Sequence, residues 1–317
     1  WQAMNSPPQC AIIAGPTAVG KSRVALALAE RLGAAEIVNV DAYQVYRGLA
    51  VLTDAPAAAA RARVPHHLVE CVDPGVAMDA AAYAALARRA LDDIRGRGRR
   101  ALLVGGSGMY LSAIFGLLGG MPPSDPTLRA DLDAKPNAEL LALLDARDPL
   151  AGRRIDRHNR RRVLRALEVC LLTGQPYSSL RADWSGGRTA GGGAQFPPGV
   201  LLLRPRGELA ARIARRSGWM LDNGAIEEVR ALAPQPAPTA AKALGFAEIR
   251  EHIAGRCSRN ECRARIEAGT RQYAKRQLTW FRNRAAFPAL DISGLSDDEA
   301  AAQAAARLDA AAAAAAD

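Results

Sequence analysis

Four short apolar runs punctuate the chain: Cys10 to Ala14, Glu36 to Asp41, Ala101 to Val104 and Gly199 to Leu203. Between them lie longer stretches with helical periodicity, including Arg23 to Glu30 and Met78 to Arg95. Strands of four to six apolar residues alternating with helices predict a parallel α/β sheet covered on both faces. Gly116 to Pro126 is rich in Gly and Pro and reads as a boundary. The next stretch, to about Leu180, is helical throughout, in pieces at Leu128 to Leu132, Ala138 to Ala146 and Asn159 to Thr173. The expected organisation is a core over 9–120, a helical insertion over 121–198 and a second part of the core over 199–290. Within the insertion, Ser185 to Gly193 reads as a flexible return. Helices are expected from Ala210 to Leu221, from Lys242 onward, and across Thr270 to Arg282. Residues 291–317 read as an Ala-rich tail, with Ala311 to Ala316 of low complexity and expected to fray.

The junction of the first strand and helix carries the chemistry. Gly15, Pro16, Thr17, Ala18, Val19, Gly20, Lys21 and Ser22 fit G-x-x-x-x-G-K-[ST], in the strand–loop–helix context that the motif requires. The two glycines let backbone N–H groups turn onto an anion, and the helix N-terminus adds partial positive charge. Lys21 can reach terminal phosphate oxygens, and the Ser22 hydroxyl can ligate Mg²⁺. This is a P-loop, a nucleotide- or ATP-binding signature, and the core is expected to be P-loop NTPase-like. The motif alone leaves open whether the phosphate is transferred, hydrolysed or expelled. Asp41 ends the second strand, where ligands of doubly wound sheets bind; a loop or capping role is the alternative. The strand at Ala101 runs into Gly105, Gly106, Ser107, Gly108, Met109 and Tyr110, a turn that lets backbone approach a ligand closely. No carboxylate ends that strand, so the second acidic motif of ATP hydrolases is missing there.

Charge sharpens the picture. The 317 residues carry a formal net charge of +10, which suggests a polyanionic partner. The excess is clustered: Arg153 to Arg165 holds seven Arg against one Asp. A solvated face usually mixes signs, so this cluster suits phosphate contact. In Thr270 to Arg282, Arg271, Lys275 and Arg282 fall within about 40° of one helix face, interleaved with Tyr273, Trp280 and Phe281. Basic residues with aromatics suit nucleic acid, although core packing of the aromatics is an equal reading. The five cysteines are odd in number and scattered, which reads as reduced thiols in a cytoplasmic protein. The adjacent His66 and His67 point apart on any regular element, against a metal pair. No apolar run approaches a membrane span, and no secretory signal opens the chain.

Six ordered stretches resemble the bacterial tRNA dimethylallyltransferases, also called tRNA isopentenyltransferases: Gly15 to Ser22, Asp41 to Gly48, Val64 to His67, Gly105 to Tyr110, Arg162 to Glu168 and Ala274 to Trp280. Together they span roughly residues 9 to 285. The resemblance implies transfer of a dimethylallyl group from dimethylallyl diphosphate to N6 of adenosine 37 in tRNA, with release of diphosphate. It implies an insertion that grips the anticodon stem-loop, a channel entered by the two substrates from opposite ends, Mg²⁺ as cofactor, and a monomer. Asp41 then matches the catalytic base, with Thr17 and Arg216 completing the catalytic set and Arg215 as the competitor of Arg216. The implied tRNA contacts are Asp41, Ala42, Tyr43, Gln44, Ser107, Arg129, Arg161, Arg162, Val163, Leu164, Arg165, Lys242, Gly245, Phe246, Lys275, Arg276, Gln277, Trp280 and Arg282. Two departures stand out. Ala42 removes a hydroxyl that the family usually carries. Leu52 to Pro56 lacks the family's usual Lys and has Asp54 instead, which puts a phosphate or tRNA contact from this loop in doubt. A P-loop small-molecule kinase shares Lys21 and Asp41 but leaves the Arg-rich insertion without a role. A non-catalytic RNA-binding protein would leave the intact P-loop and Asp41 without one.

Overall fold

The computed structural model describes residues 10–118, 121–180, 196–232 and 236–316. The expected return at Ser185 to Gly193 lies outside them. The described residues fall into two compact units, one within Trp1–Ile114 and Phe196–Asp317, the other within Phe115–Gln195.

The first unit is built on six parallel strands: β1 (Cys10–Ala14), β2 (Ala35–Val40), β3 (His66–His67), β4 (Arg100–Gly105), β5 (Gly199–Leu203) and β6 (Ala289–Asp291). Their spatial order is β3-β2-β4-β1-β5-β6. The four expected strands are present. The two edge strands, at two and three residues, are too short to leave a periodic signal. Every residue of β1 and β2 is buried, as a parallel strand covered on both faces requires.

Register sets up the site. Ala14 of β1 and Val40 of β2 both lie beside Gly105 of β4. Three strands therefore end level, and the next residues, Gly15, Asp41 and Gly106, emerge together at the carboxyl edge. Gly105 has to be glycine: a Cβ there would sit 1.9 Å from the Val40 carbonyl oxygen.

The opposite edge carries a separate polar cluster. Glu36 is buried at the start of β2 and receives Arg97 at 2.8 Å and His67 at 2.6 Å. Burial pushes its carboxyl up, but hydrogen bonds from Arg97 and His67 outweigh this and hold it below the ordinary range. His66 Nδ1 faces the Val64 carbonyl at 2.7 Å. The two histidines thus have different partners, and no group of three or more His, Cys, Asp or Glu positioned for a metal occurs among the described residues.

The Ala-rich segment is helical and is packed as far as Leu308, not a loose tail from residue 291. Asp297–Ala316 is a helix that packs through Ala300, Ala301, Ala304 and Leu308 onto Ala25, Leu28 and Ala29 of the helix Lys21–Leu32. Small side chains on both surfaces let the helices approach closely. Ser296 and Glu299 form a capping box at its start, with Ser296 N–H donating to Glu299 at 2.8 Å and Glu299 N–H to Ser296 Oγ at 3.2 Å. Low complexity concealed an amphipathic face made of Ala. The core therefore continues past residue 290.

In the second unit the described helices are Pro126–Asp133, Asn137–Arg147, Pro149–Arg154 and Arg160–Thr173. They close on Leu132, Leu140, Leu144, Val163, Leu167 and Cys170. Glu168 is fully buried and accepts from Ser124 Oγ at 2.8 Å, Asp125 N–H at 3.0 Å, Arg129 at 2.8 Å and Arg165 at 2.7 Å. The basic cluster is consequently less free than its sequence suggests. Arg157 pairs with Asp145 at 2.9 Å, Arg160 donates to the carbonyls of Asp133 and Lys135 at 2.8 and 2.7 Å, and Arg165 is taken by Glu168. Arg153, Arg154, Arg161 and Arg162 remain exposed.

Candidate active site

The P-loop is shaped by its carbonyls as much as by its glycines. Arg212 Nε donates to the Ala18 carbonyl at 2.7 Å, and Arg204 Nε to the Val19 carbonyl at 2.9 Å. Gly15 lies at φ +154, and a Cβ there would meet the Leu202 carbonyl oxygen at 2.9 Å. Gly20 precedes the helix Lys21–Leu32 at φ +115. Pinning the carbonyls outward leaves N–H groups and the helix N-terminus to face an anion. Lys21 Nζ lies over the loop, donating to the Pro16 carbonyl at 2.8 Å. Its pKa falls to about 8, chiefly because burial disfavours the charge; Arg216 lowers it further, while Asp41 and Asp54 oppose the fall.

The cleft above the loop has a volume of about 380 Å³. Lys21, Ser22, Asp41, Asp54, Arg212 and Arg216 line it, with Leu26, Ile37, Val104 and Trp219 supplying apolar wall. Arg216 NH1 donates to Thr17 Oγ1 at 2.8 Å, whereas Arg215 is exposed. Arg216 therefore lines the cleft, and Arg215 is not among its lining residues. Asp41 is seated by an Asx turn: its Oδ1 accepts from Tyr43 N–H at 2.9 Å and Gln44 N–H at 3.4 Å. Ser107 Oγ accepts from Ala42 N–H at 3.2 Å, so the hydroxyl at 107 buttresses the loop after Asp41.

The long helix Arg259–Arg284 closes the site from the other side, and the Gly-rich turn after β4 admits it. A Cβ on Gly106 would approach Gln277 Nε2 to 2.2 Å, and one on Gly108 would approach the Trp280 ring to 2.1 Å. Gln277, only 5% exposed, accepts the Thr17 backbone N–H at 2.8 Å. Its expected tRNA contact is corrected: its amide braces the P-loop. Tyr273, one turn earlier, hydrogen-bonds Ser107, and burial together with the charge of Asp41 pushes its phenol up. In the sequence Tyr273 stands out only as an aromatic among basic residues. Its four-residue spacing from Gln277, which puts both on one helix face, was the available signal.

Four other expected tRNA contacts are corrected by burial. Val163 and Leu164 are buried in the core of the second unit. Gly245 and Phe246 are buried too; Gly245 sits at φ +93, where an added Cβ would meet Leu52 and Met220 at 3.1 Å. Packing explains these four. Gln44 spends its amide on the Thr53 and Asp54 carbonyls, at 3.1 and 3.0 Å. Arg129 and Arg165 are bound to Glu168. Lys242, Lys275, Arg276 and Arg282 are exposed, Tyr43 and Trp280 partly so. Arg276 lies 5.7 Å from the centre of the Tyr273 ring.

Because burial leaves Lys21 with a pKa of about 8, affinity for a phosphate-bearing ligand should be full below about pH 8 and weaken as pH rises through it. Titrating the binding constant against pH checks this, and a flat profile to about pH 9.5 would contradict it.

The description "IPP transferase" belongs to the family model that matches residues 44–284. The chain is 41% identical over 288 residues to the tRNA dimethylallyltransferase of Geobacter sulfurreducens, covering 88% of this chain and 90% of that one. It is also 41% identical to the tRNA dimethylallyltransferase of Chromobacterium violaceum, over 90% of this chain and 89% of the other. A solved tRNA isopentenylpyrophosphate transferase from Bacillus halodurans superposes with a TM-score of 0.67 at 32% identity, covering 96% of this chain and 98% of that one. A eukaryotic dimethylallyltransferase acting on tRNA superposes with a TM-score of 0.77 at 25% identity, over 93% of this chain and 77% of that one.

Proposed function

The chain belongs to the IPP transferase family, and from that premise we propose that its cleft moves a dimethylallyl group from dimethylallyl diphosphate to N6 of adenosine 37 of tRNA. The activity is prenyl transfer to tRNA, as in its relatives. The observation that carries the residue roles is one cleft holding both Asp41 and the cationic set Lys21, Arg212 and Arg216. An exocyclic adenine amine is a poor nucleophile because its lone pair is delocalised into the ring. It needs a base to take its proton as it attacks, and Asp41 is the carboxylate on hand. As the C–O bond to diphosphate breaks, negative charge grows on the leaving oxygens. Lys21, the P-loop N–H groups and Arg216 stabilise it. Thr17 holds Arg216 in place while its own hydroxyl hydrogen stays available to the diphosphate or the incoming amine. To reach the cleft the adenine leaves its stack.

Mg²⁺ fits the P-loop at Ser22. Ser22 offers its hydroxyl, and no three-residue metal cluster occurs among the described residues, so diphosphate oxygens and water would complete the shell. When bound, the ion would supply charge neutralisation at the diphosphate.

The exposed Arg161 and Arg162 are the insertion's candidates for backbone phosphate contact. Replacing both by Ala should weaken tRNA binding and make log K against log salt shallower by about one to two. Filter binding across a salt series reads this, and an unchanged slope would remove that surface from the interface. Both side chains are solvent-facing, so thermal stability should be unaffected.

The overall reading is tested by incubating labelled dimethylallyl diphosphate with unmodified tRNA, followed by nucleoside mass analysis. Prenylated adenosine at position 37 supports it. Rapid γ-phosphate release from ATP without prenyl transfer would favour a kinase instead. No helix among the described residues is long and apolar enough to cross a membrane.

A further inference from the structure

Asp54 is, with Asp41, one of two carboxylates lining the cleft, and it is the one to which the proposed reaction gives no role. It follows the short helix Ala50–Thr53 and lies at φ 57, in the left-handed region that Asp, Asn and Gly tolerate best. The backbone there is held from three directions. Gln44 Nε2 donates to the Thr53 and Asp54 carbonyls, at 3.1 and 3.0 Å. The half-buried Glu228 carboxylate accepts Val51 and Leu52 N–H at 2.8 and 2.9 Å. Asp54 N–H closes on the Val51 carbonyl at 3.2 Å. The loop is therefore a fixed bracket, and it presents the Asp54 carboxylate to Arg216, with Oδ2 3.5 Å from Nε. That is too long for a strong hydrogen bond and short enough for an ion pair. The Asp54 side chain is 58% exposed and that of Arg216 only 22%, so water screens the pair without abolishing it. The same carboxylate acts on Lys21, whose proton it helps to retain.

Arg216 thus has two anionic claimants in one cleft: Asp54, and the diphosphate that the proposed reaction brings in and leaves behind. We propose that Asp54 is an internal competitor for Arg216 that loosens the cleft's hold on diphosphate, and so speeds release of the diphosphate product. The inference rests on the diphosphate reading of the cleft. A left-handed backbone alone would be served equally by Asn, which is why the charge can be tested separately from the turn.

Isothermal titration with inorganic pyrophosphate in the presence of Mg²⁺ tests it. Asp54→Asn should tighten pyrophosphate binding about fivefold, the size of an ion pair near 1 kcal/mol. Product inhibition by pyrophosphate in the prenyl-transfer assay should strengthen by the same factor. In an Arg216→Ala background the gain should shrink to less than about twofold, because the contested cation is gone. Asn keeps the left-handed turn, so the melting temperature should hold; Asp54→Gly is the second variant if it does not. Equal or weaker pyrophosphate binding by the single variant would overturn the inference. So would a gain of equal size in both backgrounds, which would mean a general field rather than competition for Arg216. If the wild-type protein bound no pyrophosphate at all, the diphosphate reading itself would fall, and this inference with it.

Discussion

Asp41→Asn should lower the turnover number about 10³-fold, within the range that a positioned general base contributes, or roughly 4 kcal/mol of barrier. The substitution is close to isosteric. Asn Oδ1 can still accept from the Tyr43 and Gln44 N–H groups, so the Asx turn that seats the side chain survives. What is lost is the ability to take a proton from the attacking amine. Affinity for tRNA should change by less than about threefold, since the charge removed is negative and one of many in reach of the RNA. One secondary effect must be separated. Asp41 supports the charge of Lys21, so its loss lowers the Lys21 pKa below its value of about 8. Single-turnover rates measured about one unit lower, near pH 7, avoid that confusion. Turnover within tenfold of wild type there would place the base elsewhere.

Lys21→Met should lower kcat/KM for dimethylallyl diphosphate by about 10²- to 10³-fold, the usual loss when one preorganised charge is removed from a developing oxyanion. It should also raise thermal stability at neutral pH. The sign follows from the depressed pKa. Burial disfavours the charged ammonium in the folded protein, so Lys21 destabilises the fold fully below about pH 8, and the cost fades as pH rises from there to the ordinary value of 10.5. Met fills a similar volume without the charge and loses only the contact to the Pro16 carbonyl. Activity and stability therefore move in opposite directions, as expected where binding machinery is held under electrostatic strain. A variant that lost activity together with several degrees of melting temperature would point instead to collapse of the loop. Melting curves at about pH 7 and pH 10 compare the two.

Much of this was legible in the chain itself. The apolar runs mark four of six strands, because a strand buried on both faces has to be apolar throughout. The P-loop spacing names the anion cradle, because a turn that aims N–H groups needs glycine at fixed offsets. A carboxylate directly after β2 could be placed near that cradle from strand polarity alone. These features are local: a few consecutive residues specify them, and their physical requirements are written into residue type.

What the tertiary structure decided lies at long sequence separation. Only packing shows that the Thr17 backbone N–H donates to Gln277, 260 positions away, and that Thr17 Oγ1 accepts from Arg216, 199 positions away. Only packing separates Arg216 from the exposed Arg215, puts Asp54 beside the former, and brings Tyr273 to Ser107. It also turned a run of alanines into the helix covering Lys21–Leu32, and gave Arg157, Arg160 and Arg165 partners within the second unit. Residue type states which partners a side chain could accept. Which one it meets depends on the register and approach of elements far apart in the chain, and no short stretch of residues encodes that.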